Sequence, residues 1–137
     1  MIVFGNKDIL SKEGTTQGDN LGMSFYALGT ATLLNRLLIS HPNVKNVCLA
    51  DDITGAGSLY NLKQWWSTII SEGSKFGYYV NEDKSWVIVK DKKLLSEAIV
   101  MFSDTEIKLT AEGKRHLGAA IGSSEFRKKY ANEKVNN

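Results

Sequence analysis

The chain has 137 residues, of which 42% are hydrophobic, so its length suits one domain with a buried core. Its 17 basic and 15 acidic residues leave a formal net charge of +2, which neither indicates nor excludes a nucleic-acid partner. The composition does exclude a membrane protein, because no segment is long and apolar enough to span a bilayer. The apolar start at residues 1–4 is also too short for a signal peptide.

The single cysteine, Cys48, lies inside an apolar run and has no second cysteine with which to form an internal disulfide. A lone cysteine among apolar residues is typical of a small core residue in a reducing compartment. We therefore expect the protein to be intracellular, in the cytoplasm or the nucleus, and not secreted.

The N-terminal part of the chain predicts a strand at residues 1–4, a turn at residues 5–6, a partner strand at residues 9–10 and then a polar loop. A helix follows from about Asn20 to Ile39, with Asp19 as its N-cap, and Pro42 ends it. Its predicted buried stripe consists of Leu21, Phe25, Leu28, Thr32, Leu33 and Leu37. The N–H groups at such a helix start suit a phosphate, although an ordinary capped helix explains the same residues.

The next segment combines strand formers with two adjacent carboxylates. Residues 44–50 predict a buried strand, Asp51 and Asp52 a tight turn, and Ile53 the start of a short return strand. Alternation places Asp51 on the face of Val47, and both faces are apolar, which indicates a central strand. Two like charges this close raise each other's pKa unless a cation neutralises them. The pair therefore has two interpretations, a site for a divalent metal or a plain solvated turn.

The second half of the chain alternates helices and strands without a strict repeat. Ser58 caps a helix that contains Trp65 and Trp66 and ends near Gly73 and Gly77, and Ser123 caps a basic final helix. Between them we predict a strand at 86–89, a helix at 94–102, a strand at 107–109, a turn at 112–116 and a strand at 117–122. The predicted fold class is α+β, a two-layer sandwich with one small, mostly antiparallel sheet backed by helices.

Three stretches resemble one family when they are taken in order. EGTTQGDNLG, then LADD, then FGYYVNEDKS followed by HLG are similar to the second to fifth motifs of a reverse transcriptase palm, of the retroelement (retrotransposon) type. The resemblance covers residues 13–118; each motif is weak by itself, and the ordered set is specific. It implies that residues 1–137 form a partial palm domain of an RNA-directed DNA polymerase, truncated at its N-terminus.

The resemblance implies a nucleotidyl-transfer site on the acidic turn. Asp51 matches the aspartate that holds the catalytic metals, Mg²⁺ or Mn²⁺, and Asp52 matches its more peripheral partner. Lys84 matches a lysine near the nucleotide phosphates, although a solvated turn lysine explains this residue equally well. Two-metal phosphoryl transfer needs carboxylates to hold the ions, and a lysine offsets charge on the leaving group.

The resemblance also implies contacts with substrates, which are an RNA or DNA template-primer and deoxynucleotides. Gln17, Gly18 and Asp19 match the loop that lies against the template and the incoming nucleotide. Leu117 and Gly118 match the hairpin that grips the primer end.

Some residues depart from the family pattern. The first motif, which supplies another metal-binding aspartate, is missing, and the turn context of Asp8 does not match it. Asn20 stands where the family usually has proline, and Leu49 stands where many relatives have an aromatic residue. We therefore expect the isolated chain to be inactive or nearly so.

Two alternatives remain open. In the first, the chain is a domesticated or decayed palm fragment that retains its basic final helix and binds nucleic acid or protein without catalysis. Otherwise it is a remnant without a selected function, which would self-associate through an unpaired sheet edge.

Overall fold

The computed structural model describes residues 2–4, 7–9, 19–49 and 51–135. Within them the chain forms four α-helices and eight short strands, so the expected α+β class is confirmed. In chain order the elements are β1 (Ile2–Phe4), β2 (Lys7–Ile9), α1 (Gly22–Ser40), β3 (Lys45–Leu49), β4 (Asp52–Ala56), α2 (Leu59–Gly73), β5 (Trp86–Ile88), α3 (Lys92–Met101), β6 (Lys108–Thr110), β7 (Gly113–His116), β8 (Ala119–Gly122) and α4 (Ser124–Val135). They belong to two compact units, Met1–Val80 and Asn81–Asn137.

The strands pair only in twos. β1–β2, β3–β4 and β7–β8 are antiparallel, and β5–β6 is parallel. The expected antiparallel preference is confirmed, but the single sheet is not: among the described strands no ladder extends beyond two. A strand of three to five residues pairs fully with its hairpin neighbour, and alternation alone gives no signal for which further strand joins it.

The core of the first unit lies between α1 and α2. It consists of the buried side chains Leu33, Leu37, Val44, Trp65 and Ile69. Leu33 and Leu37 were predicted to be buried, and that prediction is confirmed. The rest of the predicted stripe is wrong, because Leu21, Phe25 and Leu28 are exposed by more than half. The helix is apolar on two faces, and only its packing against α2 and β3 selects one of them.

The start of α1 differs from the expected cap. Asp19 accepts the N–H of Leu21 at its Oδ1 atom (2.8 Å) and that of Gly22 at its backbone carbonyl (3.1 Å). It therefore forms a turn two residues before the helix, and the N-cap position falls on Leu21, which makes no side-chain cap. The predicted end is confirmed, since His41 leaves helical geometry before Pro42.

The second helix follows the sequence closely. The Ser58 hydroxyl accepts the N–H of Asn61 at 3.4 Å, which confirms the predicted cap. A single 3-10 turn follows α2, and Gly77 then takes a left-handed conformation (φ 72°). Trp65 and Trp66 are both buried, so neither offers an open surface for stacking a base.

The second unit packs α3 beside the parallel pair β5–β6. Its buried apolar side chains are Val87, Val89, Ala98, Phe102 and Ile107. The Ser123 hydroxyl accepts the N–H of Phe126, which confirms the predicted cap of α4. The predicted turn at 112–116 is wrong, because β7 runs Gly113–His116. The predicted strand at 117–122 is confirmed as β8 over Ala119–Gly122, whereas Leu117 and Gly118 form the turn before it. Among the described residues no helix combines the length and apolarity needed to cross a bilayer.

Candidate functional site

The two adjacent aspartates lie at the end of an antiparallel hairpin, residues 45–56, which we call the acidic hairpin. Leu49 pairs with Asp52, which is the first residue of β4, and Asp51 lies in the turn just before it. Both Asp51 and Asp52 are exposed. The hairpin therefore presents two carboxylates to solvent at its end, as the run of strand formers followed by acidic residues predicts.

The faces of this hairpin differ from the predicted ones. Val47 and Leu49 are 64% and 57% exposed, so β3 is covered on one face and is not a central strand. Because Asp52 pairs with Leu49, its side chain shares the exposed face of Leu49 and not the face of Cys48. β4 runs antiparallel to β3, and alternation counted along the sequence does not continue from one strand into the next.

Tyr78 ties the acidic hairpin to the segment that follows α2. Its hydroxyl donates a hydrogen bond to the backbone carbonyl of Asp51 at 3.1 Å. Burial raises the pKa of Tyr78 to about 12, with smaller contributions from Tyr26, Cys48 and the two aspartates. The phenol is therefore protonated at neutral pH and remains a donor that holds the turn.

A second tyrosine connects α1 with the same turn. Burial raises the pKa of Tyr26, and the charges of Cys48 and Asp51 raise it further. Burial likewise raises the pKa of the Cys48 thiol, with additional contributions from Asp51 and Asp52. The N-terminal half of α1 thus lies within electrostatic range of Asp51, and the neighbouring groups stay neutral around the two carboxylates.

The two aspartates of this turn are not paired with a basic side chain within the described part of the first unit. Among the described residues of the first unit, no lysine or arginine forms a salt bridge with Asp51 or Asp52. Exposed, uncompensated carboxylate oxygens are the donors that a hard divalent cation prefers. Across the described residues, however, no three His, Cys, Asp or Glu side chains converge to hold a metal. The donors fit Mg²⁺ or Mn²⁺ in kind and supply two residues of a ligand set.

Of the three residues predicted to contact template and nucleotide, Gln17 and Gly18 lie outside the described residues. Asp19 is exposed, and its side chain is used in the turn before α1. Tyr26, seven positions further along the same segment, is the described residue that links α1 electrostatically to Asp51.

Lys84 belongs to the second unit and ends a short 3-10 turn, Glu82–Lys84, just before β5. The Asn81 side chain accepts the backbone N–H of Lys84 at 3.1 Å, which fixes the turn. The lysine side chain itself is exposed. The predicted polar turn is confirmed, and the role of Lys84 in phosphate binding stays a prediction.

Leu117 and Gly118 form the two-residue turn of the β7–β8 hairpin in the second unit. Their φ angles are 48° and 81°, the positive values that tight hairpin turns require. For a leucine this conformation costs about 1–2 kcal/mol. The Tyr130 hydroxyl donates to the Gly118 carbonyl at 2.8 Å, which holds the turn against α4. The resemblance correctly predicts a hairpin here, and its contact with a primer stays a prediction.

Sequence reasoning missed the two tyrosines of the acidic hairpin. Tyr26 lies on a helix with apolar residues on several sides, and Tyr78 is followed by a second tyrosine. Nothing in the local pattern distinguishes Tyr78 from Tyr79, which is 76% exposed. Comparisons with protein-family models, curated proteins and solved structures found no match for this chain.

Proposed function

We propose that this chain is the palm region of a retroelement-type reverse transcriptase, whose parent activity is RNA-templated DNA synthesis. The observation that carries the proposal is the acidic hairpin, which exposes Asp51 and Asp52 and packs beside α1. The packing of α1 against β3 supports this neighbourhood. The ordered motifs, and not any single one, supply the family assignment.

In this proposal the carboxylates of Asp51 and Asp52 hold part of the divalent-metal site. The bound metal supplies charge stabilisation for attack by a primer hydroxyl on a nucleotide phosphate. Asp51 stands in the turn, and the hydrogen bond from Tyr78 orients its backbone. Asp51 and Asp52 supply two carboxylates, fewer than a two-metal site needs, so we expect the 137 residues by themselves to have little or no activity.

Metal binding at the acidic hairpin tests the proposal directly. We expect Mn²⁺, added to the ¹⁵N-labelled chain below one equivalent, to broaden the amide signals of Asp51 and Asp52 first. Asp51→Asn combined with Asp52→Asn should abolish this broadening. The matched control is Glu82→Gln with Asp83→Asn, an acidic pair in the second unit, which should leave it unchanged. Equal broadening at both acidic pairs would remove the evidence for a dedicated site.

Primer extension tests the expected inactivity. The purified 137 residues, with Mg²⁺, deoxynucleotides and an RNA template-primer, should give no extension product above that of the Asp51→Asn variant. Robust incorporation that Asp51→Asn abolishes would show that the ligand set is complete without the missing motif, and would overturn the expected inactivity.

The alternative function is a binding module without catalysis, and the surface of α4 favours it. Arg127, Lys128 and Lys129 are consecutive and exposed on this helix. Binding to a primer-template that weakens steeply with salt, but survives Asp51→Asn, would support this function, since phosphate contacts release counterions. Binding that is independent of salt would count against a nucleic-acid partner.

A further inference from the structure

An exposed aromatic residue on the small parallel sheet of the second unit lies beside two lysines, one on the same sheet and one on β7. Trp86 on β5 pairs with Lys108 on β6, so both side chains project from the same face. The ammonium nitrogen of Lys108 lies 5.9 Å from the centre of the Trp86 ring, and that of Lys114 on β7 lies 4.3 Å from it. We call these three residues the Trp86 face.

The opposite face of the same sheet is closed. Val87, the next residue on β5, is 9% exposed, whereas Trp86 is 36% exposed and both lysines are exposed. The unit therefore has a conventional core on one side of β5–β6 and an open, cationic aromatic surface on the other. An aromatic side chain on an open sheet face is the arrangement that stacks bases in several single-strand-binding folds.

The two lysines of this face have no carboxylate salt-bridge partner in the part of the second unit that the structure describes. Among the described residues of the second unit, neither Lys108 nor Lys114 forms a salt bridge. An exposed cation–π contact is worth about 0.5–1 kcal/mol, whereas a base stacked on an aromatic side chain is worth about 1–3 kcal/mol. A base can thus displace the ammonium groups from the ring, and the released lysines can contact phosphates.

We propose that the Trp86 face binds single-stranded nucleic acid, with one base stacked on Trp86 and backbone phosphates held by Lys108 and Lys114. This site lies outside the acidic hairpin and goes beyond the palm proposal. It requires neither metal nor catalysis, so its failure and that of the palm proposal are distinguishable. Binding should favour single strands over duplex, because a stacked base must be unpaired.

The test uses the full chain and a fluorescein-labelled 12-nucleotide oligothymidylate, with affinity measured by anisotropy. Trp86→Ala should weaken binding by between about 5-fold and 150-fold, the loss of one stacked base. Trp86→Phe retains an aromatic ring and should lose much less. Lys108→Gln with Lys114→Gln should make the salt slope shallower by about 1.4, because each single-strand phosphate contact contributes about 0.7.

Two controls separate this site from a general charge effect. Lys92→Gln with Lys93→Gln removes the same charge from exposed positions on α3 of the same unit and should leave the affinity nearly unchanged. Tryptophan emission should also be quenched by unlabelled oligothymidylate in the wild type but not in Trp86→Phe, since Trp65 and Trp66 are buried.

Three results obtained with a binding wild type would overturn the proposal. They are an affinity for oligothymidylate that Trp86→Ala leaves unchanged, equal losses from the two lysine pairs, and saturation of the wild type without quenching. Absence of binding at low salt would overturn it as well. Circular dichroism of each variant shows whether a loss reflects unfolding, and Trp86→Phe keeps the test informative if Trp86→Ala does not fold.

Discussion

At the scale of single residues, the acidic hairpin is held by a tyrosine whose role the local sequence pattern does not predict. Tyr78 is half-buried and donates to the Asp51 carbonyl, whereas Tyr79 beside it is 76% exposed. The two residues are chemically identical, so they form a matched pair for mutation.

We predict that Tyr78→Phe lowers the free energy of unfolding by about 1 kcal/mol at pH 7, the net worth of one hydrogen bond. Tyr79→Phe should leave it unchanged within error. The measurement is urea unfolding followed by circular dichroism. An equal effect of the two substitutions would show that the Tyr78 hydrogen bond does not stabilise the turn.

The raised pKa of Tyr78 adds a dependence on pH. The unfolded phenol ionises near pH 10, whereas the folded one ionises near pH 12, so the unfolded state loses its proton first. Stability from this group is therefore complete below about pH 10 and is lost as the pH rises towards 12. Between about pH 10 and 12, the melting temperature of the wild type should therefore fall more steeply than that of Tyr78→Phe.

At the scale of elements, the acidic hairpin rests on α2 through a glycine. A Cβ atom added at Gly55 would lie 2.8 Å from the ring of Trp65, and this ring is held in the core. By contrast, a Cβ added at Gly29 on the exposed side of α1 would meet nothing within 4 Å. Two Gly→Ala substitutions in the same unit should thus have opposite effects.

We predict that Gly55→Ala destabilises the protein by about 1–3 kcal/mol through overpacking, and that Gly29→Ala stabilises it by about 1 kcal/mol through helix propensity. Thermal unfolding of both variants measures the difference. Because the hairpin moves as one piece with its turn, Gly55→Ala should also shift the amide signals of Asp51 and Asp52. A stable Gly55→Ala variant with an unshifted turn would contradict this packing.

Local sequence signals predicted the positions of the helices and strands better than they predicted which face of each is buried. Ser58 and Ser123 cap the helices that follow them, as expected from a single side chain and a nearby N–H group. The buried side of α1 could not be predicted in the same way, because apolar residues occur on two faces and the choice depends on α2. Val47 and Leu49 were expected to be buried for a similar reason, because both faces of β3 are apolar and only tertiary contacts decide which face is covered.

At the scale of the whole molecule, the acidic hairpin leaves apolar surface and strand edges uncovered. β3 pairs only with β4 among the described strands, and Val47 and Leu49 are exposed beside the unpaired edge. Exposed apolar strands with open edges associate with other strands.

We therefore predict that the wild-type chain self-associates as its concentration rises, and that Val47→Lys with Leu49→Lys keeps it monomeric. Analytical ultracentrifugation over a range of concentrations measures this. Val100→Lys on α3, which is 75% exposed, is the control and should not change the association. A wild-type chain that stays monomeric throughout would contradict the prediction.

The sequence by itself determined the α+β class, the bounds of most helices, the hairpin and the exposed pair of aspartates, because caps, turns and alternation act over a few residues. Only the tertiary structure decided which face of α1 is buried, that the described strands remain in pairs, and that Tyr78 donates to the acidic turn. These features depend on contacts between segments far apart in the chain, and no local pattern specifies which distant side chain meets another.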